Sequence, residues 1–211
     1  MNYCVITADV RGSRQLNDRA ALQLQIEQTL AQINQKFAKV VKVPFQITIG
    51  DEWQGVTENL AHSYEIAVQF VEKMHPHVLA VGIGEGAIAT EWRTRSADMD
   101  GDVFLRSRQA LDQSKKKNQE IVFSTTDKHR DMIVNAVSLL LQTLRRHWTE
   151  RQHQKVILYK EHRNEQKVAN ILGVSQADIH QALVAAEAKI YLDCEQKLND
   201  FLRLIYEHNN L

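Results

Sequence analysis

An α+β fold class follows from three features of the 211-residue sequence. Up to about residue 126, short β-forming runs alternate with stripes of helical period in the order βαββαβ. From Asp127 onward every periodic segment is helical, and Gly173 followed by Ser175 punctuates two of them as a helix-turn-helix would. The chain therefore divides into a ferredoxin-like N-terminal domain, residues 1–126, and an all-α helix-turn-helix domain with a C-terminal helix, residues 127–211.

Residues 2–8 (NYCVITA) are a mostly apolar, β-prone run, and Asp9 follows directly with Gly12 and Ser13 as turn residues. From Asn17, a candidate N-cap, Leu22, Ile26, Leu30, Ile33 and Phe37 recur at spacings of three and four and predict a helix packed on the sheet. Val43, Phe45, Ile47 and Ile49 alternate with polar residues or Pro44. Gly50-Asp51-Glu52 then reverses the chain into a strand over Trp53–Thr57. Leu60, Tyr64, Ala67, Val68, Val71 and Met74 mark a second helix, stopped by His75-Pro76, and 78–83 reads as a fourth strand. Further elements follow: a strand over Ala87–Thr90, a helix over 102–113, a loop over 114–118 and a strand over 121–124. Gly82, Gly84 and Gly86 do not make a GxGxxG fingerprint and read as close strand packing or a bulge.

In the split βαβ unit the end of the first strand and the tip of the following hairpin share one sheet edge, which brings Asp9 and Asp51 together. Neighbouring carboxylates repel unless a cation or shared proton neutralises them, and hard oxygen ligands suit Mg²⁺ or Mn²⁺. Asp9 and Asp51 are thus candidate metal ligands, with Glu52 a candidate third group. Singly, each would more often be a turn, capping or loop residue. Arg11, Arg14 and the run Lys115-Lys116-Lys117 would suit a phosphate, but a lysine run in a loop is usually a solvated loop, and Arg14, within one short loop of Asp9, carries more weight.

Formal net charge is zero, which excludes a protein that coats nucleic acid through bulk charge. The two cysteines, Cys4 and Cys194, lack zinc or redox spacing and read as reduced structural residues. No apolar run is long enough to span a bilayer and residues 1–3 do not open a signal peptide, so the expectation is a cytoplasmic protein without a membrane partner.

The segments Asp9-Val-Arg-Gly-Ser-Arg14, Gly50-Asp51-Glu52-Trp53-Gln54-Gly55, Gly82-Ile-Gly-Glu-Gly86 and Asp100-Gly101 with Arg108-Gln-Ala-Leu111 resemble the SatD family of bacterial proteins. More distantly, the N-terminal half resembles the palm-type domain of class III nucleotidyl cyclases and GGDEF proteins. That likeness implies metal binding at Asp9 and Asp51 and a nucleotide ligand. It also implies that Arg108 matches the helix arginine that neutralises transition-state charge. The sequence departs from those enzymes at Phe104, where a ribose-orienting asparagine is usual; a phenyl ring offers no hydrogen bond, which argues against cyclisation.

In the second half, Ile133, Val137, Leu140, Leu141, Leu144 and Trp148 mark a long helix, and another covers 150–160. Residues 166–183 fit a helix-turn-helix: Ala169 is small where helices cross, Gly173 permits a left-handed turn, and Ser175 can cap the next helix. Val174, Ile179 and Leu183 are expected inside, leaving Gln176, Ala177, His180, Gln181 and Val184 on the outer face, where a groove-reading helix presents base contacts. The region resembles the trihelical domain of sigma-factor region four. Ser175, Gln176, His180 and Gln181 are candidate DNA-binding residues, with Arg151 and Lys155 on phosphates; residues 126–190 carry ten Lys or Arg against seven Asp or Glu. Tyr191, Cys194, Leu198, Phe201 and Ile205 repeat as in a short coiled-coil seam, a candidate homodimer contact through the C-terminal helix.

These observations favour a DNA-binding transcriptional regulator whose N-terminal domain senses a nucleotide or metal. The alternatives are a metal-dependent phosphoryl or nucleotidyl transferase and a protein-interaction scaffold.

Overall fold

The computed structural model describes residues 2–208. The chain forms two compact units, one comprising the residues up to Ser138 with those from Asn199, the other Leu139–Leu198. The first holds β1 (Tyr3–Val10), α1 (Arg19–Lys36), β2 (Val41–Ile49), β3 (Glu52–Thr57), α2 (Ser63–Lys73), β4 (Leu79–Gly86), α3 (Asp102–Lys117) and β5 (Ile121–Ser124). The strands lie in the order β2-β3-β1-β4-β5. All neighbours are antiparallel except β4 and β5, whose parallel pairing uses α3 as the crossover. With β1 central and β3 returning between it and β2, this is the ferredoxin-like arrangement. Pro44 falls on β2, an edge strand, where a missing N–H is tolerated, and the ladder shifts register there.

Local chemistry sets most element ends. Asp18, rather than Asn17, caps α1 by accepting from the Ala21 N–H at 2.9 Å. β1 runs through Asp9 to Val10 instead of stopping before the acid, because Asp9 pairs across the ladder with Glu52 and Ala80. The strand expected over Ala87–Thr90 does not form. Gly86 already pairs with Tyr3 at the start of β1, so the chain beyond has no neighbour to bond. Lys115, Lys116 and Lys117, expected in a loop, instead make the last turn of α3, where positive charge complements the helix dipole; the helix ends at Asn118 in the left-handed conformation.

The second unit contains α5 (Glu150–His162), α6 (Glu165–Leu172) and α7 (Gln176–Ala185), while α4 (Lys128–Arg146) and α8 (Ala188–His208) contribute residues to both units. Thr149 and Gln152 form a reciprocal capping box on α5. The core gathers Val156, Val168, Ala169, Ile179, Leu183, Ala186 and Ala188, with Trp148, Leu158, Tyr159 and Leu172 against it. Trp148 donates its indole N–H to the Ala186 carbonyl at 2.8 Å and meets the Tyr191 ring edge-on at 4.7 Å.

Candidate functional site

Side chains alternate between sheet faces with a period of two, which decides what each β1 residue can touch. Ala8 pairs with Trp53, whose ring meets Phe70 of α2, so the even-numbered β1 residues face the α2 side. Val5, Thr7 and Asp9 take the opposite face, which α3 covers; Thr7 Oγ lies 2.8 Å from Ser107 Oγ and accepts from Gln54 at 2.8 Å. Asp9 and its cross-strand partner Glu52 therefore both face α3.

The glycines of β4 let α3 come this close. A Cβ at Gly82 would stand 2.2 Å from the Leu111 nitrogen, and one at Gly84 2.3 Å from the Ser107 nitrogen. They are close-packing positions, one of the two sequence-based readings. Resting almost directly on the strand backbone, α3 projects two cations along one stripe, Arg108 and, seven residues and about 10 Å of helix further on, Lys115. Arg108 grips Glu52 with both terminal nitrogens, each at 2.6 Å, and Thr48 Oγ donates to the same carboxylate at 3.2 Å. The Lys115 ammonium reaches Asp9 at 2.7 Å.

The two carboxylates respond in opposite directions. Burial raises the Asp9 pKa, with the Asp51 and Glu52 charges adding to it, and the Lys115 bond only partly offsets them. Burial pushes Glu52 upward too, but there the forked Arg108 bond and Thr48 outweigh it, and Glu52 ends below its ordinary value. Glu52 in turn raises Arg108. Asp9 and Glu52 are thus each paired with a cation of the chain itself, the role that the sequence alone left open for a metal or a proton.

Asp51 sits in the hairpin next to the Asp9–Glu52 pair, and its Oδ2 is buried with no hydrogen-bond partner. That orphan oxygen suits a hard cation, which takes one or two protein carboxylates and completes its shell with water or phosphate. Among the described residues no group of three His, Cys, Asp or Glu is placed to hold a metal. Arg14 is exposed in the short turn after β1, whereas Arg11 is a structural clamp: it donates to the carbonyls of Ser114 at 2.7 Å, Gln119 at 2.7 Å and Leu79 at 3.1 Å, holding the end of α3 to the strands. Phe104 packs among Val5, Val43, Val56, Met99 and Val103. Lys115, discounted from the sequence as part of a solvated loop, is a site residue, and its spacing of seven from Arg108 on one helix carries the signal. Burial lifts the Cys4 thiol to about 12, keeping it protonated and inert.

In the helical unit, Gly173 adopts φ 66°, and Ser175 caps α7 by accepting from the Asp178 N–H at 3.1 Å. Ile179 and Leu183 are buried, but Val174, expected inside, points outward. Its N–H closes the turn onto the Ala169 carbonyl, which turns the side chain away from the core. Gln176, Ala177, Gln181 and Val184 are exposed. His180 is exposed beside Glu165, with Nδ1 at 3.3 Å. Arg151 is exposed on α5, whereas Lys155 is buried and bonded to Asp178 at 2.6 Å, so its ammonium serves the fold. Of the stripe expected as a dimer seam, Tyr191 and Leu198 are buried and Cys194, Phe201 and Ile205 half-buried within the chain, leaving Ile190 and Leu204 as the exposed apolar residues of α8. No helix among the described residues is long and apolar enough to cross a membrane.

The model of the SatD family matches residues 3–202, so the chain belongs to that family. No curated protein matches it. Similar solved structures include a bacterial light-regulated adenylyl cyclase, at 12% identity and TM-score 0.42, covering 58% of this chain and 75% of that one. The non-canonical dimeric guanylyl cyclase domain of the RhoGC fusion protein from Blastocladiella emersonii gives 15% identity and TM-score 0.43, covering 53% and 73%. The active GGEEF domain of a diguanylate cyclase from Vibrio cholerae gives 18% identity and TM-score 0.39, covering 61% and 85%.

Proposed function

For this SatD-family chain, we propose a DNA-binding regulator whose N-terminal α+β domain binds a nucleotide and whose helix-turn-helix contacts duplex DNA. The observation that carries the reading is the construction of α6 and α7. A left-handed glycine and a serine cap set the turn, Ala169, Ile179 and Leu183 lock the two helices together, and the outer face of α7 is left to Gln176, Ala177, His180 and Gln181. Amides of this kind read base edges, and exposed Arg151, Arg163, Lys167 and Lys189 supply charge for phosphates. The test is fluorescence polarisation of the full chain against genomic fragments across a salt series. With about four phosphate contacts, affinity should fall about a hundredfold between about 50 and about 200 mM salt. Gln176→Ala with Gln181→Ala should flatten sequence preference, whereas Arg151→Ala should weaken all sequences alike. An absence of binding at the lowest salt refutes this reading and favours a protein-interaction scaffold.

In the α+β domain, Asp9 and Asp51 would hold Mg²⁺ or Mn²⁺, which when bound would neutralise both carboxylates and accept phosphate oxygens. Lys115 would then be released from Asp9 toward a phosphate, and Arg108, already anchored by Glu52, would present its exposed edge to the same ligand; Arg14, exposed in the turn after β1, is a further candidate for its phosphates. A metal-dependent phosphoryl or nucleotidyl transferase uses the same residues; the observation that favours a sensor over that enzyme is Phe104, which is built into the core and offers no group to a ribose. Calorimetry with nucleoside triphosphates and Mg²⁺ separates the cases. Binding lost in Asp51→Asn supports the site, unchanged binding leaves Asp51 a turn residue, and product formation turns the assignment to the enzyme.

A further inference from the structure

We propose a second anion site in the α+β unit, at the sheet edge opposite Asp9, that takes a small, multiply charged organic anion. An open cleft of about 530 Å³ lies where α1 ends and β2 begins, bounded by Lys36, Phe37, Lys39, His62, Glu65 and Arg203. Its place in the sheet follows from register: Val41 at the start of β2 and Cys4 of β1 both pair with Thr57, whereas Asp9 pairs with Glu52. Five residues of strand, about 17 Å, separate the two levels. The cleft is thus independent of the carboxylates and cations of the first site.

Its lining is unbalanced in charge. Lys36, Lys39 and Arg203, with His62 as a titratable fourth, oppose the single carboxylate of Glu65. Glu65 is already engaged, accepting from Arg203 Nη2 at 3.0 Å and lying 3.4 Å from His62 Nδ1. The other Arg203 terminal nitrogen bonds Asp200 at 3.3 Å. Two carboxylates hold the guanidinium in place, yet its Nε is buried with no acceptor. A buried guanidinium N–H without a partner is costly, so a turn of the side chain that brings Nε to an oxygen of a bound anion is favoured. The Lys36 ammonium lies 5.3 Å from the Phe37 ring centre, and Lys39 is exposed with no hydrogen bond or ion pair among the described residues. Two long, mobile cations flank one oriented guanidinium over an apolar floor, a combination that suits phosphate or clustered carboxylates on a compact carbon skeleton.

The test is calorimetry of the full chain with inorganic pyrophosphate and with citrate, which separate phosphate from carboxylate recognition. One saturable site for at least one of them is expected, weakened about tenfold by the surface double variant Lys36→Gln with Lys39→Gln and further by Arg203→Gln. Lys115→Gln, at the opposite edge, reports on the first site in the same titration. Binding that is lost in Lys115→Gln but retained in the Lys36 and Lys39 variant overturns the proposal by moving the anion to the Asp9 edge. The absence of saturable heat with both probes overturns it outright. Because the two lysines are exposed, their double variant judges the site even if Arg203→Gln unfolds the C-terminal turn of α8.

Discussion

Replacing Gly84 by alanine tests the contact that positions the whole candidate site. The added methyl would lie 2.3 Å from the Ser107 nitrogen and 2.4 Å from the Val103 oxygen, where ordinary contact begins at 3.4 Å. Both obstacles are backbone atoms of α3, so the helix itself must retreat by about 1 Å. Overpacking of this kind costs about 1–3 kcal/mol. The retreat also stretches the 2.8 Å bond between Thr7 and Ser107, adding about 1 kcal/mol. The sum, about 2–4 kcal/mol, corresponds to a fall in melting temperature of about 4–16 °C for a unit of this size. Thermal unfolding followed by circular dichroism reads the loss, and the side-chain Nε resonance of Arg108 reports whether the forked contact with Glu52 loosens with it. A melting point within about 1 °C of wild type, with Arg108 unmoved, would show that α3 does not rest on the strand as described.

The two paired carboxylates of the acidic edge should titrate on opposite sides of their ordinary values. Glu52 is held below the ordinary glutamate value, so the stability it contributes is present above that value and disappears as pH falls through the lowered one. Asp9 is raised, so as pH falls it protonates, and frees Lys115, earlier than an ordinary aspartate would. Carboxyl-carbon NMR titration should place the Asp9 midpoint above the ordinary aspartate value and the Glu52 midpoint below the ordinary glutamate value, and either one on the other side would refute the account. Lys155→Gln removes the buried partner of Asp178, which is half exposed and can rehydrate, so a loss of about 1–2 kcal/mol in the helical unit is expected in chemical denaturation. No change in its midpoint would place Lys155 in solvent. Phe104→Asn, the substitution that would supply the missing ribose-orienting amide, deletes a core ring and leaves an amide among valines. It should cost about 3 kcal/mol or more and lower the melting point rather than create turnover; a variant as stable as wild type would remove Phe104 from the core.

Periodicity and local chemistry made much of this protein legible in its sequence. The stripe from Leu22 to Phe37, the alternation from Val43 to Ile49 and the Gly50-Asp51 reversal each depend on neighbours within one helical turn or one hairpin, as do the left-handed Gly173 and the Ser175 cap. Such features are local and survive being read one window at a time. Where local reading failed, a distant partner decided. A strand at Ala87–Thr90 had the composition but no neighbour left to pair with, and the lysines at 115–117 looked like loop only because the helix they end is defined by its packing on Gly82 and Gly84.

The sequence by itself determined the order of elements and therefore that Asp9 and the hairpin would meet at one edge, since a βαββαβ chain with short connections has few ways to close a sheet. Only the tertiary structure decided what neutralises that edge. The partners of Asp9 and Glu52 come from α3, more than fifty residues further along the chain. The buried Glu85 likewise meets Arg130 and Tyr206, which approach it from α4 and α8. Charged side chains carry no periodicity that names a partner. A carboxylate in a sequence is equally ready for a metal, a lysine or an arginine, and which one it meets follows from the register of strands and the closeness of a helix, set by contacts that no local window contains.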